Sequence, residues 1–158
     1  MSQLENFTFD ELSPGQTAEY ARTLSEDDII LFAKVSGDVN PVHLDAEFAG
    51  TTMFRERIAH GMYTGGLISA ALAMKMPGPG TIYLGQNLKF ERPVKLGDTI
   101  TVRLKVLEKM AGKNIVTLDT TATNQHGKPV VSGTATVLAP KEKIRIDAPT
   151  LPPVVIQR

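Results

Sequence analysis

Between His60 and Met76 the chain runs through Met62, Leu67, Ile68, Ala70, Ala71, Leu72 and Met74 with very little polar surface. A helix apolar on most sides has to be wrapped by the rest of its own domain. It does not read as a membrane span, because the stretch from Gly61 to Met76 is short of the roughly 20 apolar residues a bilayer needs and is rich in Gly, Thr and Ser. Gly61, Gly65 and Gly66 each cost about 1 kcal/mol against alanine inside a helix. Close approach of another backbone or of a ligand would justify that cost. Met76-Pro77-Gly78-Pro79-Gly80 then stops the helix.

The wrapping material follows. Thr81 to Leu84 and Gln86 to Phe90 are strand-like and lead to a turn around Pro93. Ile100, Val102, Leu104 and Val106 alternate with Thr101, Arg103 and Lys105, the period of a half-buried strand. Ile115 to Thr123 and Val130 to Leu138 give two more, joined by a polar turn of Gln125, His126, Gly127 and Lys128. Upstream, Gln16 to Thr23 reads as a first strand. Ser25 then caps a helix whose first turn carries Glu26, Asp27 and Asp28 against the positive dipole end. Ile29, Ile30, Phe32, Ala33 and Val35 supply its buried face, and Gly37 suits the left-handed position past its end. The predicted class is α+β, a single domain over 1–158 with an antiparallel sheet around one long helix. Its core runs from about residue 9 to 138, and an extended proline-bearing tail covers 140–158.

Seventeen basic residues balance seventeen acidic ones, so nothing favours a nucleic-acid backbone or an anionic membrane surface as partner. The chain has no cysteine, which removes disulfides, thiolate nucleophiles and cysteine metal sites together. Met1 to Glu11 is polar and acidic, without the apolar run of a signal peptide, and the cytoplasm is the expected compartment.

Asp38 and His43 lie on one short segment, and Pro41 keeps Asn40 out of a helical conformation, so a tight irregular loop is expected over 38–43. On a continuous helix, positions five apart would point roughly 140° away from each other; a loop lets the two side chains meet. Two readings follow from the spacing. The pair shares a proton with a water or substrate, or Asp38 caps a turn and His43 packs its ring. His60-Gly61, at the mouth of the apolar helix, likewise either offers an exposed N–H to a developing oxyanion or makes an ordinary helix start. Ser69 is deeper in the helix, where its hydroxyl can be spent on the carbonyl four residues back. Asp38, His43, Asp45 and His60 show no short helical ligand spacing, and no metal is expected.

The run Phe32-Ala-Lys-Val-Ser-Gly-Asp-Val-Asn-Pro-Val-His43, followed by Arg57-Ile-Ala-His-Gly-Met62, resembles the MaoC-like (R)-specific enoyl-CoA hydratases. Ile82 to Phe90 and Pro93 to Asp98 extend the likeness, which covers the chain from near Phe9 to Leu138. The resemblance implies a hot-dog fold, a homodimer, and reversible hydration of a trans-2-enoyl-CoA. Coenzyme A would be part of the substrate, with no separate cofactor, and the product would feed polyhydroxyalkanoate synthesis. It puts the catalytic acid and histidine on Asp38 and His43, the oxyanion N–H on Gly61 and a site-lining serine on Ser69. Asn40, Phe48, Met53 and Tyr63 are the substrate-contact candidates, together with Phe54 and Leu67, and Arg55, Lys89 and Arg92 are candidates for the phosphates. A hot-dog thioesterase and a non-catalytic acyl-CoA binder are the rival readings.

Overall fold

The alternation centred on Val102 is realised in the longest strand of the computed structural model, which describes residues 2–158. This strand, β5 (Thr99–Met110), turns Ile100, Val102, Leu104 and Val106 fully inward. It pairs antiparallel with β2 (Thr17–Thr23) on one side and β6 (Ile115–Thr123) on the other. Beyond β6 lie β7 (Pro129–Ser132) and β8 (Thr134–Leu138), which pair in turn with β4 (Lys89–Phe90) and β3 (Ile82–Gln86). The seven strands curve around α4 (Gly61–Met74), whose Tyr63, Thr64, Leu67, Ile68, Ala71 and Leu72 are buried against them.

Several features differ from the expectation. Met62 and Met74 of α4 are 54% and 40% exposed, so one side of the helix is left uncovered by its own sheet. Val130 to Leu138 is not one strand: it breaks at Gly133, where β7 leaves the C-terminal end of β6 and β8 takes up the N-terminal end. The tail is not uniformly extended, because Arg145–Asp147 (β9) pairs with Gln3–Glu5 (β1). Val35 points to solvent, and Ile29 and Ala33 carry the buried face of α1 (Glu26–Ser36).

The start of α1 follows its signals. Ser25 accepts from the Asp28 N–H while the Asp28 carboxylate accepts from the Ser25 N–H, and Gly37 closes the helix with a left-handed φ of 81°. The segment after it is more ordered than a loop. Pro41–Leu44 forms a single helical turn, α2, and Ala46–Thr51 a second short helix, α3, capped by Asp45. The restriction that Pro41 places on Asn40 holds, since Asn40 is non-helical with ψ 125°, and Pro41 occupies the first helical position, where its missing N–H costs nothing. The chain then crosses beneath α2, with the Ile58 N–H bonded to the Val42 carbonyl and the Ala59 N–H to the Val94 carbonyl.

Candidate active site

Asp38 follows directly on the left-handed Gly37, and two successive side-chain turns steer the chain from it to His43. Asp38 Oδ1 accepts from the Asn40 N–H at 3.1 Å, and Asn40 Oδ1 accepts from the Val42 N–H at 3.3 Å. Asn40 is thereby consumed as scaffold and as the cap of α2. The second carboxylate oxygen, Asp38 Oδ2, lies 3.9 Å from His43 Nε2. That is too far for a direct hydrogen bond, yet one water oxygen at about 2.8 Å from each atom would reach both.

His43 is buried, and its Nδ1 lies 2.8 Å from the Ile58 carbonyl oxygen. A carbonyl only accepts, so Nδ1 carries the hydrogen, and in the neutral ring Nε2 is the lone-pair nitrogen that faces Asp38. Two acceptors therefore oppose each other with no donor between them. A water placed there gives one hydrogen to each and keeps a lone pair for attack. Arg57 fixes the backbone of the same residue: its Nε donates to the His43 carbonyl at 2.7 Å and its guanidinium pairs with Glu26 at 2.9 Å. The Arg57 bond, seconded by the charge of Arg158, holds the exposed Glu26 carboxyl below its ordinary value.

His60 and Gly61 complete the cluster. The His60 ring stacks on His43 with centroids 3.9 Å apart and tilts against Phe32 at 4.8 Å, while its Nε2 lies 3.0 Å from the Asp38 backbone carbonyl. It is the residue before α4, but its side chain makes no capping bond. Gly61 begins the helix, and its N–H, at the positive dipole end, has no hydrogen-bond partner among the described residues. Both residues line a cavity of about 390 Å³ together with Met53, Phe54, Phe90 and Arg92. A larger, mainly apolar hollow of about 780 Å³ lies on the other side of Phe90, walled by Phe32, Gly65, Gly66, Ser69 and Leu88. The Ser69 hydroxyl makes no hydrogen bond within the described residues, unlike Ser36, whose hydroxyl is spent on the Phe32 carbonyl.

Not every candidate belongs to this cluster. Tyr63 and Leu67 are turned into the core and line neither cavity. Burial pushes the Tyr63 phenol above its usual value, and its hydroxyl has no hydrogen-bond partner among the described residues. Phe48 is 44% exposed on α3 and also lies outside both cavities. Of the three cations, only Arg92 borders the cavity that holds Gly61; Arg55, at a left-handed φ of 65°, and Lys89, near Glu91, lie elsewhere. Asp38, His43 and His60 bring ligand-type atoms within 4.8 Å of one another. However, the two imidazoles face each other at an interplanar angle of 28°, and in-plane lone pairs of stacked rings do not converge on one ion. Arg57 and Phe32 emerge as site residues that residue type alone did not single out. Their functional signal was only their place within the two motif runs.

Residues 11–136 match the MaoC like domain. The chain belongs to the MaoC-like family. It is 48% identical over 132 residues to an (R)-specific enoyl-CoA hydratase of Rhodospirillum rubrum, covering 84% of this chain and 91% of that one. In structure it is similar to the unliganded R-hydratase PhaJ1 of Pseudomonas aeruginosa, with a TM-score of 0.95 and 57% identity over 99% of this chain and all of the other. It is also similar to an (R)-hydratase of Aeromonas caviae involved in PHA biosynthesis, with a TM-score of 0.79 and 41% identity over 82% and 98% of the two chains. The helix-in-sheet architecture is thus the hot-dog fold that the sequence resemblance implied. No helix among the described residues is long and apolar enough to cross a membrane.

Proposed function

We propose that this chain is an (R)-specific enoyl-CoA hydratase that adds water reversibly across a trans-2-enoyl-CoA and supplies (R)-3-hydroxyacyl-CoA for polyhydroxyalkanoate synthesis. One observation carries the chemistry: Asp38 Oδ2 and His43 Nε2 stand 3.9 Å apart as two acceptors, with His43 Nδ1 already committed to Ile58. The water they hold attacks the β-carbon, and electron density moves to the thioester oxygen. The free Gly61 N–H at the mouth of α4 receives that charge, a kind of contact whose loss typically costs about 10²–10³ in rate. Carboxylate and imidazole act together on this water, taking a proton from it and giving one to the α-carbon on the same face. Addition is therefore syn. The apolar hollow beside Ser69 suits the acyl chain, and Arg92, at the cavity next to Gly61, is the cation best placed for a coenzyme A phosphate.

Incubation with crotonyl-CoA is expected to bleach the conjugated enoyl absorbance without releasing thiol, and to give (R)-3-hydroxybutyryl-CoA. Free thiol would make the protein a thioesterase, and binding without turnover would make it an acyl-CoA-binding module; either result ends this reading. Ser69→Ala is expected to lower kcat by about tenfold or less, well short of the losses at Asp38 and His43, because a neutral hydroxyl orients but exchanges no proton. The attack of water, the proton transfers and the oxyanion contact are all assigned to Asp38, His43 and the Gly61 amide, and coenzyme A enters only as part of the substrate. Activity should therefore survive exhaustive dialysis against EDTA; restoration by an added divalent ion after a loss would refute this.

We infer a homodimer as the working form. The edge strand β3 exposes Ile82 and Leu84 at 54% and 52%, and Leu84 borders the same hollow as the exposed Met62 and Phe90. Among the described residues β3 pairs only with β8, so an unpaired edge flanked by apolar side chains is left for a second copy. Sedimentation equilibrium should return twice the chain mass, and a monomer at micromolar concentration would contradict it.

A further inference from the structure

His60 is buried to 3% exposure, its Nδ1 has no hydrogen-bond partner among the described residues, and its side chain does not cap the helix it precedes. Burying a ring nitrogen with no partner costs about 1–3 kcal/mol. An apolar ring would pack against Phe32 and His43 without that cost, and the side chain makes no cap bond to α4. Its sole polar contact among the described residues is Nε2 to the Asp38 backbone carbonyl, at 3.0 Å, and since a carbonyl cannot donate, Nε2 carries the hydrogen. His60 thus touches both halves of the acid–base pair: it bonds the main chain of one and stacks on the ring of the other.

We infer that His60 is a positioning residue for hydration. Its Nε2–H pins the Asp38 carbonyl, which fixes the carboxylate at its 3.9 Å separation from His43, while its ring face backs the His43 imidazole. It exchanges no proton with substrate. Asp38 benefits from this tether because its side chain is 49% exposed and the turn that precedes α2 is otherwise held at Asp38 by two side-chain bonds, the Asp38 N–H to Ser36 Oγ at 3.2 Å and the Asn40 N–H to Asp38 Oδ1 at 3.1 Å. Displacement of a catalytic group by about 1 Å costs on the order of 10² in rate, so the tether acts on kcat. The inference rests on the hydratase reading, and the experiment below includes a readout that does not.

The test compares His60→Phe, which keeps the ring and loses the donor, with His60→Gln, whose amide can present an N–H near the Nε2 position. For His60→Phe we expect kcat on crotonyl-CoA to fall about 30- to 100-fold with KM within about twofold. Its melting temperature should stay close to that of the parent, because loss of the Nε2–H bond to the Asp38 carbonyl is offset by removal of an unpartnered buried nitrogen. His60→Gln should recover kcat to within about fivefold of the parent. Independently of activity, amide exchange at Asn40, whose N–H is bonded by Asp38, should speed up about tenfold in His60→Phe and return toward the parent rate in His60→Gln. If His60→Phe fails to fold, His60→Leu takes its place. Full kcat in the donor-less variant, unchanged Asn40 exchange, or a Gln variant as inactive as the Phe variant would each overturn the inference. A parent enzyme inactive on crotonyl-CoA but showing the exchange pattern would instead refute the hydratase reading and leave the tether standing.

Discussion

Asp38→Asn and His43→Gln are each expected to lower kcat for crotonyl-CoA hydration by about 10²–10⁴-fold while leaving the protein folded. In the first variant the amide oxygen can still accept from the Asn40 N–H, so the turn survives. Its NH₂ then faces His43 Nε2, and a donor stands where the water needs an acceptor. In the second, the glutamine roughly preserves length and volume but not the lone-pair nitrogen. It also has to replace the bond from Nδ1 to the Ile58 carbonyl, so some stability is lost along with activity. Because the two groups act on one water, the losses should not add: the double variant is expected within about tenfold of the worse single variant. Steady-state rates on the four proteins, with circular dichroism to establish folding, decide the matter. A well-folded single variant that keeps a tenth or more of the parent's turnover would refute the assignment of proton transfer to this pair.

The contrast between what could and could not be read from the residues has a physical origin. Period-two alternation in β5 and β6 is a local property, and every inward position there follows it. The turn from Gly37 to Asn40 was legible because its determinants, Gly37 in the left-handed region and Pro41 acting on Asn40, lie within a few residues of it, whereas the helical turn Pro41–Leu44 that carries His43 was read as loop. Two kinds of information were hidden. One is which side of an apolar helix remains uncovered: Met62 and Met74 look like core in composition, and their exposure depends on how far the sheet reaches around α4. The other is partnership at long range. His60 as helix cap and His60 as clamp on Asp38 are the same letter in the sequence, and a contact 22 residues away separates them. Tyr63, a substrate-contact candidate by its place beside Met62, belongs here too, since helical phase turns it inward.

Gly133→Ala should destabilise the fold by about 3–5 kcal/mol, the upper range for a single substitution, and lower the melting temperature by roughly 10 °C or more. A β-carbon at this position would sit 2.0 Å from the Asn87 carbonyl oxygen and 2.9 Å from its carbon. Neither side can give way. Asn87 is held by its N–H to the Thr134 carbonyl and by its side-chain oxygen to the Thr134 N–H, at 3.0 and 3.1 Å. Gly133 is held in turn by its carbonyl, which accepts from both the N–H and the hydroxyl of the buried Thr120 at 3.0 Å each. Relieving the clash therefore breaks at least one buried hydrogen bond or opens the β3–β8 seam. The seam matters for function as well, because Gln86 and Leu88, on either side of Asn87, wall the apolar hollow beside Ser69. Activity should thus fall at temperatures where the variant is still folded, through KM before kcat. Gly50→Ala is the control, as it lies on the exposed face of α3 with its nearest neighbour 4.0 Å away, and it is expected to be neutral or stabilising by up to about 1 kcal/mol. Urea melts of the three proteins measure both effects, and a Gly133→Ala midpoint equal to the parent's would mean that the Asn87 strap yields freely and does not hold the strand break in place.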